Sequence, residues 1–153
     1  MNVVDILEHE GRIVFSEDEI GEIVEYLYNQ LKQFKVVAFS GPLGVGKTTL
    51  IRALLRKCGI KEPVTSPTFI YINRYTNDEG QTFYHFDLYR IESVSDFLEA
   101  GFDEYFEQPN SWVFIEWPEV IMPLLKDNVC LIKLDYHDEK RKLQMQKFKK
   151  TEK

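Results

Sequence analysis

A three-layer α/β fold with a mostly parallel central sheet is what the sequence predicts, and three observations predict it. Short apolar strand patterns alternate with amphipathic helix patterns, as they do when helices cover both faces of a parallel sheet. The run FSGPLGVGKTTL, residues 39–50, passes from an apolar strand through a glycine-rich turn into a helix. Two further strand patterns flank Asn77-Asp78-Glu79-Gly80 and add an antiparallel hairpin.

Each element has its own signal. Residues 12–15 (RIVF) alternate as a short strand. Ser16-x-x-Glu19 is a capping box that opens a helix to about Gln33, with Ile20, Ile23, Val24, Leu27 and Leu31 on one face. Residues 35–40 (KVVAFS) read as a buried strand and residues 48–57 as a helix. Residues 68–75 and 81–88 form the two hairpin strands, and a helix is expected from about Ser95 to Phe106. Residues 111–117 (SWVFIEW) and 129–134 complete the buried strands. Neither a linker nor a repeat interrupts the pattern, so residues 1–137 read as one domain. Residues 138–153, with seven basic and three acidic side chains, read as a basic C-terminal tail fraying in solvent.

Composition narrows the class. The 153 residues, 44% hydrophobic, suffice for one core. Cys58 and Cys130 fall on apolar elements and read as buried reduced thiols. The longest stretch without a charged residue is 11 residues, against the roughly 20 that a membrane span needs, and the first residues carry acids rather than a basic signal. A cytoplasmic protein is expected. Net charge is −6, but residues 1–137 carry 12 bases and 22 acids, so the body should not grip a nucleic-acid backbone directly.

The chemistry concentrates in Gly41 to Thr48, which fit G-x-x-x-x-G-K-[ST], the phosphate-binding loop of nucleotide-binding proteins (P-loop). Gly41, Gly44, Val45, Gly46, Lys47, Thr48 and Thr49 are the expected nucleotide-binding set. The loop turns backbone N–H groups toward phosphates, Lys47 reaches the β- and γ-phosphates, and the Thr48 hydroxyl is placed to ligate magnesium. ATP and Mg2+ are the expected cofactors.

Three stretches accompany the loop. In VFIEWPE, residues 113–119, an apolar strand ends in Glu116, the expected second metal-side acid. VTSPTF, residues 64–69, puts small hydroxyls between a helix and the hairpin. In HFDLYR, residues 85–90, Asp87 interrupts an aromatic strand, where a charge needs a partner or a job. His85 reads as packed or solvent-facing rather than catalytic, and Arg90 as a structural partner for Asp87.

GPLGVGKTTL, TSPTF, HFDLYR and IEWPE, in that order, resemble the TsaE (YjeE) family of small bacterial P-loop ATPases, which are required to make the threonylcarbamoyl modification of adenosine next to the anticodon in tRNA. The resemblance runs from about Ser16 to Leu134. It implies a P-loop NTPase fold and a weak ATPase activated by TsaD and TsaB subunits, with tRNA met only through that complex. It further implies that Lys47 and Thr48 hold phosphate and magnesium, that Glu116 is the second metal-side acid, and that Asp87 supports hydrolysis. Thr65 and Ser66 would begin a nucleotide-sensing loop. Glu17 stands near the base, where the family often carries Thr, and Arg141 or Lys140 would supply a cation close to the nucleotide.

Rival classes fit less well. A small-molecule kinase carries the same loop but needs an arginine-rich lid, and the six Arg of this chain do not cluster after Glu116. A regulatory GTPase needs N-K-x-D, for which Ile132-Lys133-Leu134-Asp135 lacks the base-reading Asn. A nucleotide-dependent binding module with negligible turnover is the remaining alternative.

Overall fold

The structure is a computed structural model, and it describes residues 3–65 and 71–148. Seven strands form one sheet in the order β1-β7-β6-β2-β5-β4-β3. They are β1 (Arg12–Phe15), β2 (Val36–Ser40), β3 (Ile72–Thr76), β4 (Thr82–Asp87), β5 (Ser111–Glu116), β6 (Val129–His137) and β7 (Lys140–Phe148). The central four, β6, β2, β5 and β4, run parallel, whereas β3, β7 and β1 are joined antiparallel at the two sides. Helices α1 (Val3–Glu10), α2 (Ile20–Gln30), α3 (Lys47–Lys57) and α4 (Val94–Glu99) flank it.

The central strand β2 has no polar face, and Val36, Val37, Ala38 and Phe39 are all buried, as a strand covered on both sides requires. On one side, Val37 and Phe39 pack with Ile23, Val24 and Leu27 of α2 and Leu50, Ile51 and Leu54 of α3. On the other, Val36 and Ala38 join Phe86, Phe97, Ile115 and Ile121 in a second core under α4 and two 3-10 turns. Full burial of each large apolar side chain contributes about 1.5–3 kcal/mol.

Local signals account for most ends. The Glu19 carboxylate accepts the Ser16 backbone N–H at 3.0 Å, completing the expected back-reach of the capping box. That contact holds the Glu19 carboxyl below its ordinary value. The helix expected from Ser95 to Phe106 is broken, because Gly101 takes φ +76° and ends α4 before a 3-10 turn at Phe102–Glu107. The N-terminal α1 was not expected; it buries Leu7 in the α2 core.

The basic tail is a correction. Residues 140–148 are strand β7, inserted between β1 and β6, and Asp138 in the left-handed region turns the hairpin that leads into it. Arg141, Leu143, Met145 and Lys147 alternate with Lys140, Lys142, Gln144 and Gln146, and Leu143 is fully buried. Only two apolar side chains mark the inward face, so the strand period is hidden among lysines. Cys58 and Cys130 are buried free thiols, both pushed up to about 12 by burial.

Ending the chain after His137 removes the strand that joins β1 to β6. The lost pairing and the exposure of its neighbours should exceed the few kcal/mol by which a small domain is stable. The truncated chain is expected to show no cooperative thermal transition by circular dichroism; a wild-type melt would show that β7 is dispensable.

Candidate nucleotide site

Period-2 alternation assembles the site. On β4, Phe83, His85 and Asp87 point to the same side of the sheet, and on β5 so do Trp112, Phe114 and Glu116. That side is covered by α3. The pairing sets Asp87 opposite Glu116 and His85 opposite Phe114. Glu116 also lies opposite Phe39 on β2, one residue before the loop-strand end at Ser40. The acid at the end of β5 and the first turn of α3 therefore meet beside the loop.

Thr48 Oγ1 donates to Glu116 Oε1 at 2.7 Å. The other carboxylate oxygen, Oε2, lies 2.6 Å from His85 Nε2. His85 is fully buried and Glu116 is 4% exposed. Lys47 is also buried; its ammonium donates to the carbonyls of Gly41 and Pro42 and sits 3.3 Å from the centre of the Trp117 ring. Burial pushes the Lys47 pKa down, and the charges of Glu116, Glu119 and Asp87 oppose that shift. Asp87 accepts the Tyr89 backbone N–H at 3.1 Å. Trp117 has φ +58°, an outlier for a bulky residue, and its ring packs 4.9 Å from Tyr89.

The loop itself needs its glycines for different reasons. A Cβ on Gly41 would overlap the carbonyl oxygen of Leu134, and Gly46 takes φ +111° at the start of α3. The β6–β7 hairpin braces the loop from the side: Tyr136 donates its hydroxyl to the Leu43 carbonyl at 3.0 Å, and Arg141 Nε donates to the Val45 carbonyl at 3.0 Å. The Arg141 guanidinium also stacks 4.6 Å from the Tyr136 ring.

Two clefts flank the loop. One, of about 270 Å³, gathers Glu17, Gly44, Val45, Gly46, Thr49 and Arg141, with Phe15, Ile20 and Leu134 as apolar walls. The other is formed by Ser40, Gly41, Pro42, Leu88, Tyr89, Trp117, Glu119 and Val120. Thus Glu17 and Arg141, far apart in sequence, line the same cleft as the loop. Thr65 lines neither; its backbone is tied to the hairpin through Asn73 and Tyr75, and Arg52 holds the neighbouring Val64 carbonyl. Ser66 lies outside the described residues. Arg90 stacks 5.3 Å from the Tyr71 ring, and its charge draws the Asp87 pKa down only weakly beside the other influences.

His85 is packed, the first of its two expected placements, and its contact with Glu116 is what sequence reasoning missed. The signal was present in its spacing, since His85 and Asp87 share a strand face. Thr48 and Glu116 offer a hydroxyl and a carboxylate, hard oxygen donors that suit Mg2+. Among the described residues no group of three His, Cys, Asp or Glu side chains is placed to hold a metal ion.

A glycine-rich loop between a central parallel strand and a helix, faced by an acid from the neighbouring strand, defines a P-loop-type α/β domain. The family model described as "Threonylcarbamoyl adenosine biosynthesis protein TsaE" matches residues 14–144, and the chain belongs to that family. Relatives named "tRNA threonylcarbamoyladenosine biosynthesis protein TsaE" include that of Rickettsia felis, 33% identical over 86% of this chain and 75% of the relative. The Haemophilus influenzae relative is 36% identical over 72% and 68%. The Aquifex aeolicus relative is 32% identical over 87% and 92%. The crystal structure of Bacillus subtilis YdiB superposes with a TM-score of 0.68 at 25% identity, covering 90% of this chain and 84% of that one.

Asp87 gives a pH-dependent expectation. Burial, reinforced by the charge of Glu116, raises its carboxyl above the ordinary value despite the opposing Tyr89 N–H, His85 and Arg90. A raised folded-state pKa stabilises the fold fully below the unfolded value of about 3.9 and ceases to do so as pH rises through the folded value. Asp87→Asn keeps an oxygen for the Tyr89 N–H and should melt above wild type at pH 7, with the gap closing near pH 4. A lower melting temperature for the variant at pH 7 would show that the charge stabilises the fold.

Proposed function

We propose that this chain is the Mg2+-dependent ATP-binding and ATP-hydrolysing subunit of tRNA threonylcarbamoyladenosine biosynthesis, acting in the cytoplasm on a complex of TsaD and TsaB type. Membership of the TsaE family supports the pathway. The observation that carries the chemistry is the 2.7 Å pairing of Thr48 with Glu116, which sets a hydroxyl and a carboxylate side by side at the start of α3.

On this reading the N–H groups from Gly44 to Thr49 cradle the phosphates, and Lys47 turns from the Gly41 carbonyl to the β- and γ-phosphates. The cleft holding Glu17 and Arg141 receives the nucleoside. Thr48 and Glu116 hold the metal, which when bound neutralises charge on the phosphates. Asp87, beside Glu116, supports hydrolysis. Thr65 and Ser66 belong to the segment that senses the γ-phosphate. ATP is preferred to GTP, since Ile132 stands where a guanine-reading Asn would be.

Several features support action on a protein complex, with tRNA met only through it. The acidic body repels a polyanion. Leu43 and Tyr89, 75% and 63% exposed, place apolar surface beside the phosphate loop. Among the described residues no helix is long and apolar enough to cross a membrane. P-loop domains hydrolyse slowly until a partner completes the site.

Two measurements test this reading. Lys47→Ala should weaken ATP binding about 10- to 100-fold by calorimetry, the loss of one charge-assisted contact. Glu116→Gln, which keeps the buried shape, should bind ATP and lose most turnover; equal ATP affinity in wild type and Lys47→Ala would defeat the assignment. In reconstituted modification reactions, omitting this subunit should stall TsaD and TsaB after about one round. Fast ATP hydrolysis by the isolated chain, unchanged when TsaD and TsaB are added, would count against the partner assignment.

A further inference from the structure

We infer that His85 is a positioning residue: its buried imidazole, through Nε2, fixes the Glu116 carboxylate so that Oε1 alone faces Thr48. This rests on the reading of Thr48 and Glu116 as the metal-side pair.

The geometry carries it in three steps. His85 Nε2 and Glu116 Oε2 are 2.6 Å apart, and the imidazole is fully buried. One of the two atoms must bring a proton, and an ionised carboxylate has none. The second ring nitrogen, Nδ1, is buried with no hydrogen-bond partner among the described residues. A proton on Nδ1 would bury an N–H that none of the described residues accepts. The contact is therefore read with a ring proton on Nε2 directed at Glu116.

The backbone makes this pairing directional. His85 lies opposite Phe114, one alternation before the pair Asp87 and Glu116, so the ring reaches Glu116 diagonally from inside the sheet. Thr48 approaches from the other side, on the first turn of α3. With Oε2 held from within, the carboxylate cannot rotate to present both oxygens to the loop. Groups that hydrogen-bond to metal-side residues typically change metal affinity or activity by about 10- to 100-fold when removed.

Three variants of the full chain separate positioning from packing. His85→Gln puts an amide N–H at the place of Nε2; His85→Asn puts one at the place of Nδ1, out of reach of Glu116; His85→Leu packs without a donor. ATP affinity is measured by calorimetry with Mg2+ and with EDTA, alongside thermal melts. The Mg2+-dependent gain in affinity should survive in His85→Gln and fall about 10- to 100-fold in His85→Asn and His85→Leu, with affinity in EDTA unchanged. Equal gains in the Gln and Asn variants, or no loss in Leu, would overturn the inference. Nitrogen-15 NMR of the wild-type imidazole decides the pairing without any nucleotide: a protonated Nε2 supports it, and an Nδ1–H tautomer that leaves Nε2 without a proton overturns it. If wild type shows no Mg2+-dependent gain, the nucleotide reading fails while the NMR result still stands for or against His85, as it does if a variant fails to fold.

Discussion

A carboxylate buried at the end of a central strand is the constraint on which the rest of the site depends. Glu116 is 4% exposed, and an unpaired charge at that depth would be strongly destabilising. Thr48 and His85 each take one of its oxygens. This requirement ties three elements together: the first turn of α3, the interior of β4 and the end of β5. Moving any one of them by an ångström leaves the acid with an unpaired oxygen. The parallel register between β4 and β5 is therefore a property of the site as well as of the sheet.

The second support comes from the opposite side of the loop. The β6–β7 hairpin supplies Tyr136 and Arg141, whose bonds to the Leu43 and Val45 carbonyls fix two loop residues from outside. Leu134 packs so closely that Gly41 has no room for a side chain. A β6–β7 hairpin carrying several lysines thus holds the shape of the phosphate loop, which explains why Arg141 lies at the loop although ninety-six residues separate it from Val45.

The parallel core was legible because each of its strands is apolar on both faces, and the loop because its glycines, Lys47 and Thr48 have one well-defined chemical use. The Ser16–Glu19 box, the β3–β4 hairpin and Glu116 were legible for the same reason: local chemistry specifies them. β7 was not, because only Leu143 and Met145 pack it into the α2 and α3 core and only Phe148 touches the other core, and the Lys, Arg and Gln at the remaining positions resemble a solvated tail. The break at Gly101 was hidden inside a helical pattern. His85 was expected to be packed or solvent-facing and is packed, but its partner was hidden: Glu116 is thirty-one residues away, and only the β4–β5 register brings them together. The α1 helix lacked a signal because its buried Leu7 acquires its value from packing on other elements.

Charge balance connects these supports to the proposed nucleotide chemistry. Glu116, Glu119 and Asp87 all act on Lys47, so one ammonium faces three carboxylates. Lys47 is meanwhile satisfied by two carbonyls and the Trp117 ring, contacts that keep a buried cation stable without a phosphate. A triphosphate entering this site adds negative charge to a surround that is already acidic, and the one lysine cannot neutralise both. On the reading proposed above, a divalent cation is what closes that balance, since it adds two positive charges where Thr48 and Glu116 converge. On that reading, the carboxylates that would repel ATP alone would favour ATP with its metal.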